Sequence, residues 1–149
     1  MDIVIKNITR SALEDSIEKY IEILKDVRGE YWGREHFLTD LPGKFQLSCC
    51  ALLDNQLVGY IISSEKGTSR AHIHKFMVDK KHRSKRIGHL LLNYYEGLVK
   101  KKNIGTITLK VNLNNYDAIR FYLNHGFLVE AQCEDSKTSD ALIKMKKLI

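Results

Sequence analysis

The sequence has little proline and no long apolar run, and each shortage excludes a class of protein. A single proline in 149 residues, with 44% hydrophobic and 28% charged residues, is typical of a folded domain and not of a disordered chain. No apolar run approaches the ~20 residues that cross a bilayer, so no membrane association is expected. The opening segment, MDIVIKNITR, lacks the basic start and long apolar core of a signal peptide, which makes the cytoplasm the expected location.

Cysteines and glycine-rich phosphate motifs are also scarce. Cys49, Cys50 and Cys133 are odd in number and have no metal-ligand spacing, so we interpret them as packed thiols, with no disulfide framework and no metal site. Neither G-x-x-x-x-G-K-[ST] nor G-x-G-x-x-G occurs, which argues against a P-loop or a Rossmann dinucleotide site.

The hydrophobic pattern predicts one domain over residues 1–149 that contains a mixed sheet. Strands are expected at 3–8, 45–53, 56–63, 71–78, 106–111, 127–133 and 140–147, with Asp54-Asn55 turning a hairpin. Helices are expected to run from Ser11, in a capping box with Glu14, to about residue 29, and over 34–38, 88–102 and about 115–126, the last capped by Asn114 or Asn115. This order predicts an α/β (α+β) fold, a mixed sheet flanked by about four helices.

The segment 72–92, HIHKFMVDKKHRSKRIGHLLL, carries the clearest functional signal. An alternating strand passes through a basic turn into a helix, which places cations, free backbone N–H groups and the positive end of a helix dipole together. The net charge of +6 also favours an anionic partner, either nucleic acid or a phosphorylated cofactor.

Two motifs with fixed spacing narrow that choice. The first motif consists of Val78-Asp79 and Arg83, followed by Ile87-Gly88, which opens a helix. The second is N-x-x-A-x-x-x-Y, formed by Asn115, Ala118 and Tyr122, and it precedes Gly126-Phe127. This combination resembles the GNAT superfamily of acetyl-CoA-dependent N-acetyltransferases. The resemblance implies a GNAT-like fold with a splayed sheet, acetyl-CoA as cosubstrate, and direct transfer to a primary amine in a ternary complex.

The resemblance also implies where acetyl-CoA binds. Backbone groups of Met77 and Val78 would pair with the pantetheine arm, between strands that part. Arg86 stands where the family usually has glycine. The pyrophosphate would be wrapped by Lys81, His82, Arg83, Ser84, Lys85, Arg86, Ile87 and Gly88, and Asn115, Ala118 and Tyr122 would complete the cofactor site.

Catalytic roles follow partly from the resemblance and partly from side-chain chemistry. Tyr122 matches the family's general acid, which protonates the departing thiolate. The strand before the turn offers no carboxylate ahead of Asp79, but His74 and His72 share one of its faces, and either could accept the proton of the amine or hold a water that does. Glu30 and Glu35 are weaker alternatives as the base.

The acceptor should meet acidic and aromatic side chains, which attract an ammonium group by charge and cation–π contact. The resemblance implies that the acceptor end is lined by the loop between the first two helices and by the last hairpin. Here these contain Glu30, Tyr31, Trp32 and Glu35, and residues 134–136, which would suit a small amine or a protein amino group. We expect no nucleic-acid partner, and a monomer or homodimer. Two other functions stay open: a non-catalytic acyl-CoA sensor, and a basic nucleic-acid-binding module using residues 80–86 and 100–102.

Overall fold

The structure, a computed structural model, describes residues 2–27, 29–83 and 85–149. Within them a mixed sheet has the strand order β1-β2-β3-β4-β5-β7-β6, in which only β4 and β5 run parallel. The strands are β1 (Ile3–Asn7), β2 (Cys49–Leu53), β3 (Gln56–Lys66), β4 (Arg70–Val78), β5 (Thr106–Asn112), β6 (Leu128–Glu134) and β7 (Ala141–Leu148). The helices are α1 (Arg10–Asp15), α2 (Ile17–Lys25), α3 (Arg34–Leu38), α4 (Ile87–Lys101) and α5 (Tyr116–Asn124).

Helices cover the sheet on both faces and form two separate cores. On one face α4 and α5 bury apolar residues such as Leu91 and Tyr122 against β2–β5 and β7. On the other face α1, α2 and α3 bury residues such as Tyr20 and Phe37 against β2, β3 and β4. No described residue of β5, β6 or β7 belongs to this second core, so half of that face is left without a helix.

The position of α4 depends on a glycine in the neighbouring strand. A Cβ on Gly59 would lie 2.9 Å from the Met77 carbonyl oxygen and 3.1 Å from Leu91 Cδ1, closer than real Cβ contacts. The missing side chain therefore lets α4 pack tightly over β3 and β4. This close packing brings the start of α4 next to the end of β4, where the basic turn lies.

The predicted fold class is confirmed, and three details of the predicted elements are wrong. Thr9, not Ser11, caps the first helix, since the Thr9 hydroxyl accepts the Ala12 N–H at 3.1 Å. The predicted first helix is two helices that break at Ser16. The strand predicted from residue 45 begins at Cys49, because the buried Lys44 ammonium binds the carbonyls of Phe37 and Thr39 and holds this segment in turns.

The predicted hairpin is present, and two of the three cysteines are packed thiols as interpreted. Asp54 and Asn55 both take positive φ, 50° and 66°, as a tight two-residue turn requires. Cys49 and Cys50 are buried free thiols, and Cys133 is free and half-buried. The described residues contain no cluster that could hold a metal ion and no helix long and apolar enough to cross a bilayer.

Candidate active site

A cleft opens where the two parallel strands part. β4 and β5 pair from Arg70 opposite Thr106 as far as Ile73 opposite Leu109, and beyond that point each strand continues without the other. The resulting cavity, about 70 Å³, is lined by both strand ends, by α5 and by the loop after α2. The two strand ends and α5 that line it belong to the segment that the resemblance singles out.

A β-bulge in β4 decides which side chains face the cleft. Ser63 pairs with Ile73 and Ile62 pairs with Lys75, so His74 is the extra residue. The bulge shifts the alternation: Ile73 and Phe76 face the α4–α5 core, whereas His72, His74 and Lys75 lie on the opposite face. The predicted shared face of His72 and His74 is confirmed, with ring centroids 5.0 Å apart.

The backbone of β4 presents hydrogen-bonding groups to the opening. The Asp79 N–H donates to the Val58 carbonyl at 2.8 Å, which makes these residues a hydrogen-bonded antiparallel pair. By alternation, Met77 bonds toward β3, while the N–H groups of Phe76 and Val78 point to the side that β5 has left. Met77 is among the lining residues of the cleft, and its side chain belongs to the second core.

The basic turn lies directly beyond this strand end. A short 3-10 helix (Lys80–His82) begins with the Asp79 carboxylate accepting the Lys81 N–H at 3.2 Å. His82 Nδ1 is buried and has no hydrogen-bond partner among the described residues, and it lies 3.6 Å from Asp79 Oδ2. Arg83 Nε donates to the Val78 carbonyl at 3.2 Å. Ser84, expected at this site, lies outside the described residues.

Arg86 occupies a backbone conformation that favours glycine. It has φ 64° and ψ 14°, and it forms the N-cap of α4 without a side-chain hydrogen bond. The first turn of α4, including Ile87 and Gly88, therefore keeps its N–H groups free of a side-chain cap. The left-handed backbone explains why the family usually has glycine at this position. Glycine adopts this conformation without strain, whereas arginine adopts it at a cost in free energy.

Replacing Arg86 by glycine should therefore stabilise the protein. We expect Arg86→Gly to raise the free energy of unfolding by about 1 kcal/mol, because glycine adopts this conformation without the Cβ penalty. Urea unfolding measures the change. Lys85→Gly is the matched control: Lys85 has no positive φ, so glycine there should destabilise through backbone entropy. Equal effects of both changes would contradict this account of Arg86.

Tyr122 brings a phenol to the cleft from α5. Its side chain is buried in the α4–α5 core, in edge contact with the Phe76 ring. Burial raises the pKa of Tyr122 far above its ordinary value, and the nearby Glu30 carboxylate raises it further. Tyr60, Tyr94 and Tyr95 each bond a protein group, whereas the Tyr122 hydroxyl has no such partner within the described part of the chain. The phenol of Tyr122 is therefore protonated at neutral pH, and its hydroxyl can form a hydrogen bond with a ligand.

Glu30 reaches the same cleft from the loop after α2. It forms an ion pair with Lys75, whose side chain is only 12% exposed. The Lys75 ammonium lies 5.3 Å from the centre of the Trp32 ring, and Trp32 packs at right angles on the buried Phe37. This chain of contacts anchors the loop in the second core and holds one carboxylate at the same cleft as Tyr122.

The two histidines differ in their access to the cleft. His74 lines it and shares a 2.7 Å hydrogen bond with Ser64, whereas His72 is outside its lining and bonds Thr108 at 2.8 Å. Burial lowers the pKa of His74 to about 4, with Lys66, Lys44 and Lys75 adding to the fall. Burial, followed by His74 and three lysines, lowers the pKa of His72 to about 3. Both imidazoles are neutral at pH 7 and are weak bases.

These lowered pKa values predict a loss of stability in acid. The unfolded chain takes up protons near pH 6.5, while the folded chain resists them down to about pH 4 or 3, so stability falls as pH falls through this window. We expect the double variant His72→Gln/His74→Gln to lose about 1–2 kcal/mol less than the parent between pH 7 and 4.5, a range reduced for partial solvent exposure. Urea unfolding at both pH values gives the comparison, and equal losses would contradict it.

The other residues expected at the site divide between the cleft and its surroundings. Asn115 caps α5 by accepting the Ala118 N–H at 3.2 Å, and both residues line the cleft. Tyr31 and Glu35 are exposed and do not line it.

Two lysines that the sequence did not single out, Lys75 and Lys110, do line the cleft. Lys110 follows from strand alternation past the point where β5 leaves β4. The position of Lys75 at the cleft depends on the β-bulge, which no pattern in the sequence indicates.

Comparisons with known proteins agree with this geometry. The model of the acetyltransferase (GNAT) family matches residues 13–127. An uncharacterized N-acetyltransferase from Methanocaldococcus jannaschii is 28% identical over 138 residues, which cover 83% of this chain and 59% of that protein. The chain thus spans only about three fifths of the length of this curated relative.

Two solved structures are similar over nearly their whole length. Ard1 from Thermoplasma volcanium has a TM-score of 0.89 at 24% identity, covering 100% of this chain and 99% of that chain. The PaiA N-acetyltransferase from Thermoplasma acidophilum, in complex with coenzyme A, has a TM-score of 0.75 at 25% identity, with 100% of both chains covered. The predicted mixed, splayed sheet is thus a fold that these acetyltransferases share.

Proposed function

Since the chain belongs to the acetyltransferase (GNAT) family, we propose that residues 1–149 act as one domain that transfers an acetyl group from acetyl-CoA to a primary amine. The observation that carries this proposal is the cleft between β4 and β5, which Tyr122 lines and beyond which the basic turn lies. The acetyl thioester supplies an electrophilic carbonyl, and the chain supplies binding, orientation and proton transfer.

The residues around the turn fit a phosphorylated cosubstrate with an extended arm. The N–H groups of Phe76 and Val78 offer sheet-like bonds to the arm and a donor for the acyl oxygen. The uncapped first turn of α4 offers N–H groups to phosphate, and the cations of residues 80–86 add charge. The unpartnered His82 Nδ1 supports the same fit. Coenzyme A bound to the similar PaiA protein is consistent with this choice.

Proton transfer divides between two groups at the cleft. Tyr122 donates a proton toward the leaving sulfur, because it lines the cleft and its hydroxyl has no partner among the described residues. Glu30 accepts the proton of the attacking ammonium, directly or through a water. We favour Glu30 over His74 and His72 because its carboxylate lines the cleft and attracts the ammonium by charge, whereas a neutral imidazole does not and His72 is outside the lining.

Calorimetry followed by an amine screen tests the function. We expect the purified protein to bind acetyl-CoA with saturable heat and to release free thiol when amines are added. A short DNA duplex serves as the competitor, because residues 80–86 and 100–102 could form a nucleic-acid site. Those two basic runs lie at opposite ends of α4, about 22 Å apart, and do not form one patch. Indifference to acetyl-CoA with salt-sensitive DNA binding would overturn the proposal.

An acyl-CoA sensor remains the second candidate. Its support is that both strand histidines are weak bases and that Arg86 strains the turn where a glycine is usual. A sensor would bind acetyl-CoA and release no thiol with any amine. Thiol release that disappears in Tyr122→Phe while acetyl-CoA binding persists would exclude it.

A further inference from the structure

The sheet face beside the cleft is open and strongly basic. On β5 and β7 the residues opposite the α4–α5 core are Thr106, Thr108, Lys110, Lys144 and Lys146, because their neighbours in sequence belong to that core. No helix of the described chain covers this half of the face. We call this surface the basic sheet face, and its cations are Lys66, Arg70, Lys110, Lys144 and Lys146.

Strand pairing fixes the arrangement of these cations. Lys66 lies opposite Arg70 across β3 and β4, and Lys110 lies opposite Lys144 across β5 and β7. Lys66, Arg70 and Lys110 are exposed, and none of them, nor Lys144, forms an ion pair with the described residues. Glu130, paired with Lys146 at 3.4 Å, is the one carboxylate that pairs with a member of the face within the described chain.

The basic sheet face begins at the cleft and extends away from it. Lys110 lines the cleft, and Arg70 lies opposite Thr106, four residues further back along β5. At 3.3 Å per residue this distance is about 13 Å. A small amine that fills the cleft cannot reach the far cations, whereas three or four residues of an extended chain can.

Charge and shape together identify the acceptor, on the premise that the protein is an acetyltransferase. We propose that the acceptor is an acidic polypeptide segment whose amino group enters the cleft while its neighbouring acidic side chains lie on the basic sheet face. The Glu30 carboxylate attracts the ammonium, and the lysines attract the carboxylates that follow it. Lys66 and Arg70 lie directly opposite each other, and two like charges in this arrangement destabilise a sheet. A bound carboxylate would offset this repulsion.

A nucleic acid suits the face less well. Between the cations lie Thr106, Thr108, Leu128 and Leu148, and β5, β6 and β7 carry no phenylalanine, tyrosine or tryptophan on which bases could stack. The His72 ring on β4 is already packed against His74 and bonded to Thr108. Nucleic acids also lack the aliphatic amine that the cleft is proposed to use.

Three peptides with a free amino terminus test the proposal. They differ only at the three residues after the first, which are glutamate, glutamine or lysine. An exposed pair of opposite charges strengthens binding by about 1.5- to 5-fold, so we expect kcat/KM about tenfold higher for the acidic than for the neutral peptide. The preference should shrink in 0.5 M salt because exposed charges are screened. Equal rates for all three peptides would overturn the proposal.

Matched triple variants separate the face from net charge. Lys66→Gln/Arg70→Gln/Lys144→Gln should bring the acidic-to-neutral ratio close to one. Lys25→Gln/Lys100→Gln/Lys101→Gln removes the same charge from exposed positions outside the face and should keep the tenfold ratio. An equal loss in both variants would show a general charge effect and would also overturn the proposal.

A binding measurement keeps this test distinct from the test of catalysis. Anisotropy of a labelled, amino-terminally acetylated acidic peptide reports docking without transfer. Binding at least fivefold tighter than that of the neutral peptide is expected in the parent and in the Lys25/Lys100/Lys101 control, and not in the Lys66/Arg70/Lys144 variant. If no peptide is acetylated but this preference holds, docking stands and the proposed activity fails. If peptides are acetylated without regard to charge, the activity stands and docking fails. Tighter binding of a single-stranded oligonucleotide to the same lysines would overturn docking in favour of nucleic acid.

Discussion

Tyr122→Phe is expected to lower kcat for acetyl transfer about a hundredfold, the usual contribution of a positioned general acid. The change removes only the hydroxyl. Since that hydroxyl has no partner among the described residues, its loss leaves no protein group unpaired, and stability should stay within about 0.5 kcal/mol. Acetyl-CoA affinity should change by less than about twofold, because the ring keeps its contacts with Phe76 and Phe127. Thiol release and calorimetry measure the two quantities separately.

Tyr94→Phe is the matched control for this change. Tyr94 lies on α4 and donates to Asn7 Oδ1 at 2.7 Å, away from the cleft, so its hydroxyl should affect stability and not kcat. If Tyr122→Phe keeps kcat within threefold of the parent, Tyr122 is a packing residue and another group must protonate the leaving sulfur. If it loses acetyl-CoA binding instead, its hydroxyl contributes to ground-state affinity.

Local patterns predicted the framework of the site well because its determinants are local. The hairpin at Asp54-Asn55 needs only two residues that tolerate positive φ, and Asn115 caps α5 with its own side chain. The basic turn and the start of α4 follow from a strand, a run of cations and a helical pattern in sequence. The parting of β4 and β5 was expected from the resemblance, and the register of the two strands confirms it.

Other parts of the site depend on contacts between distant residues. The bulge at His74 moves Lys75 to the cleft face, although strict alternation would have placed it with Ile73 against the core. Lys75 then pairs with Glu30, 45 residues away in a loop without periodicity. Neither the bulge nor this pair leaves a pattern in the sequence, so Glu30 stood there only as a weak alternative to the strand histidines.

Glu30→Gln is expected to lower kcat/KM about a hundredfold if Glu30 accepts the proton of the amine. Glutamine keeps the size of the side chain and removes its charge and basicity. Glu35→Gln is the control, because Glu35 is exposed on α3 and does not line the cleft, so activity should stay within about twofold. Loss of the charge should also lower the pKa of Tyr122, since the Glu30 carboxylate now raises it.

The ion pair with Lys75 complicates this result, and a double variant resolves it. Glu30→Gln leaves the nearly buried Lys75 ammonium without its partner, which alone could distort the cleft. Lys75→Gln removes that unpaired charge. If Glu30 serves only to neutralise Lys75, the double variant Glu30→Gln/Lys75→Gln should recover most of the parent kcat/KM. If Glu30 is the base, the double variant should stay about a hundredfold down while Lys75→Gln alone remains active. Recovery in the double variant would return the role of base to His74 or to a water that it holds.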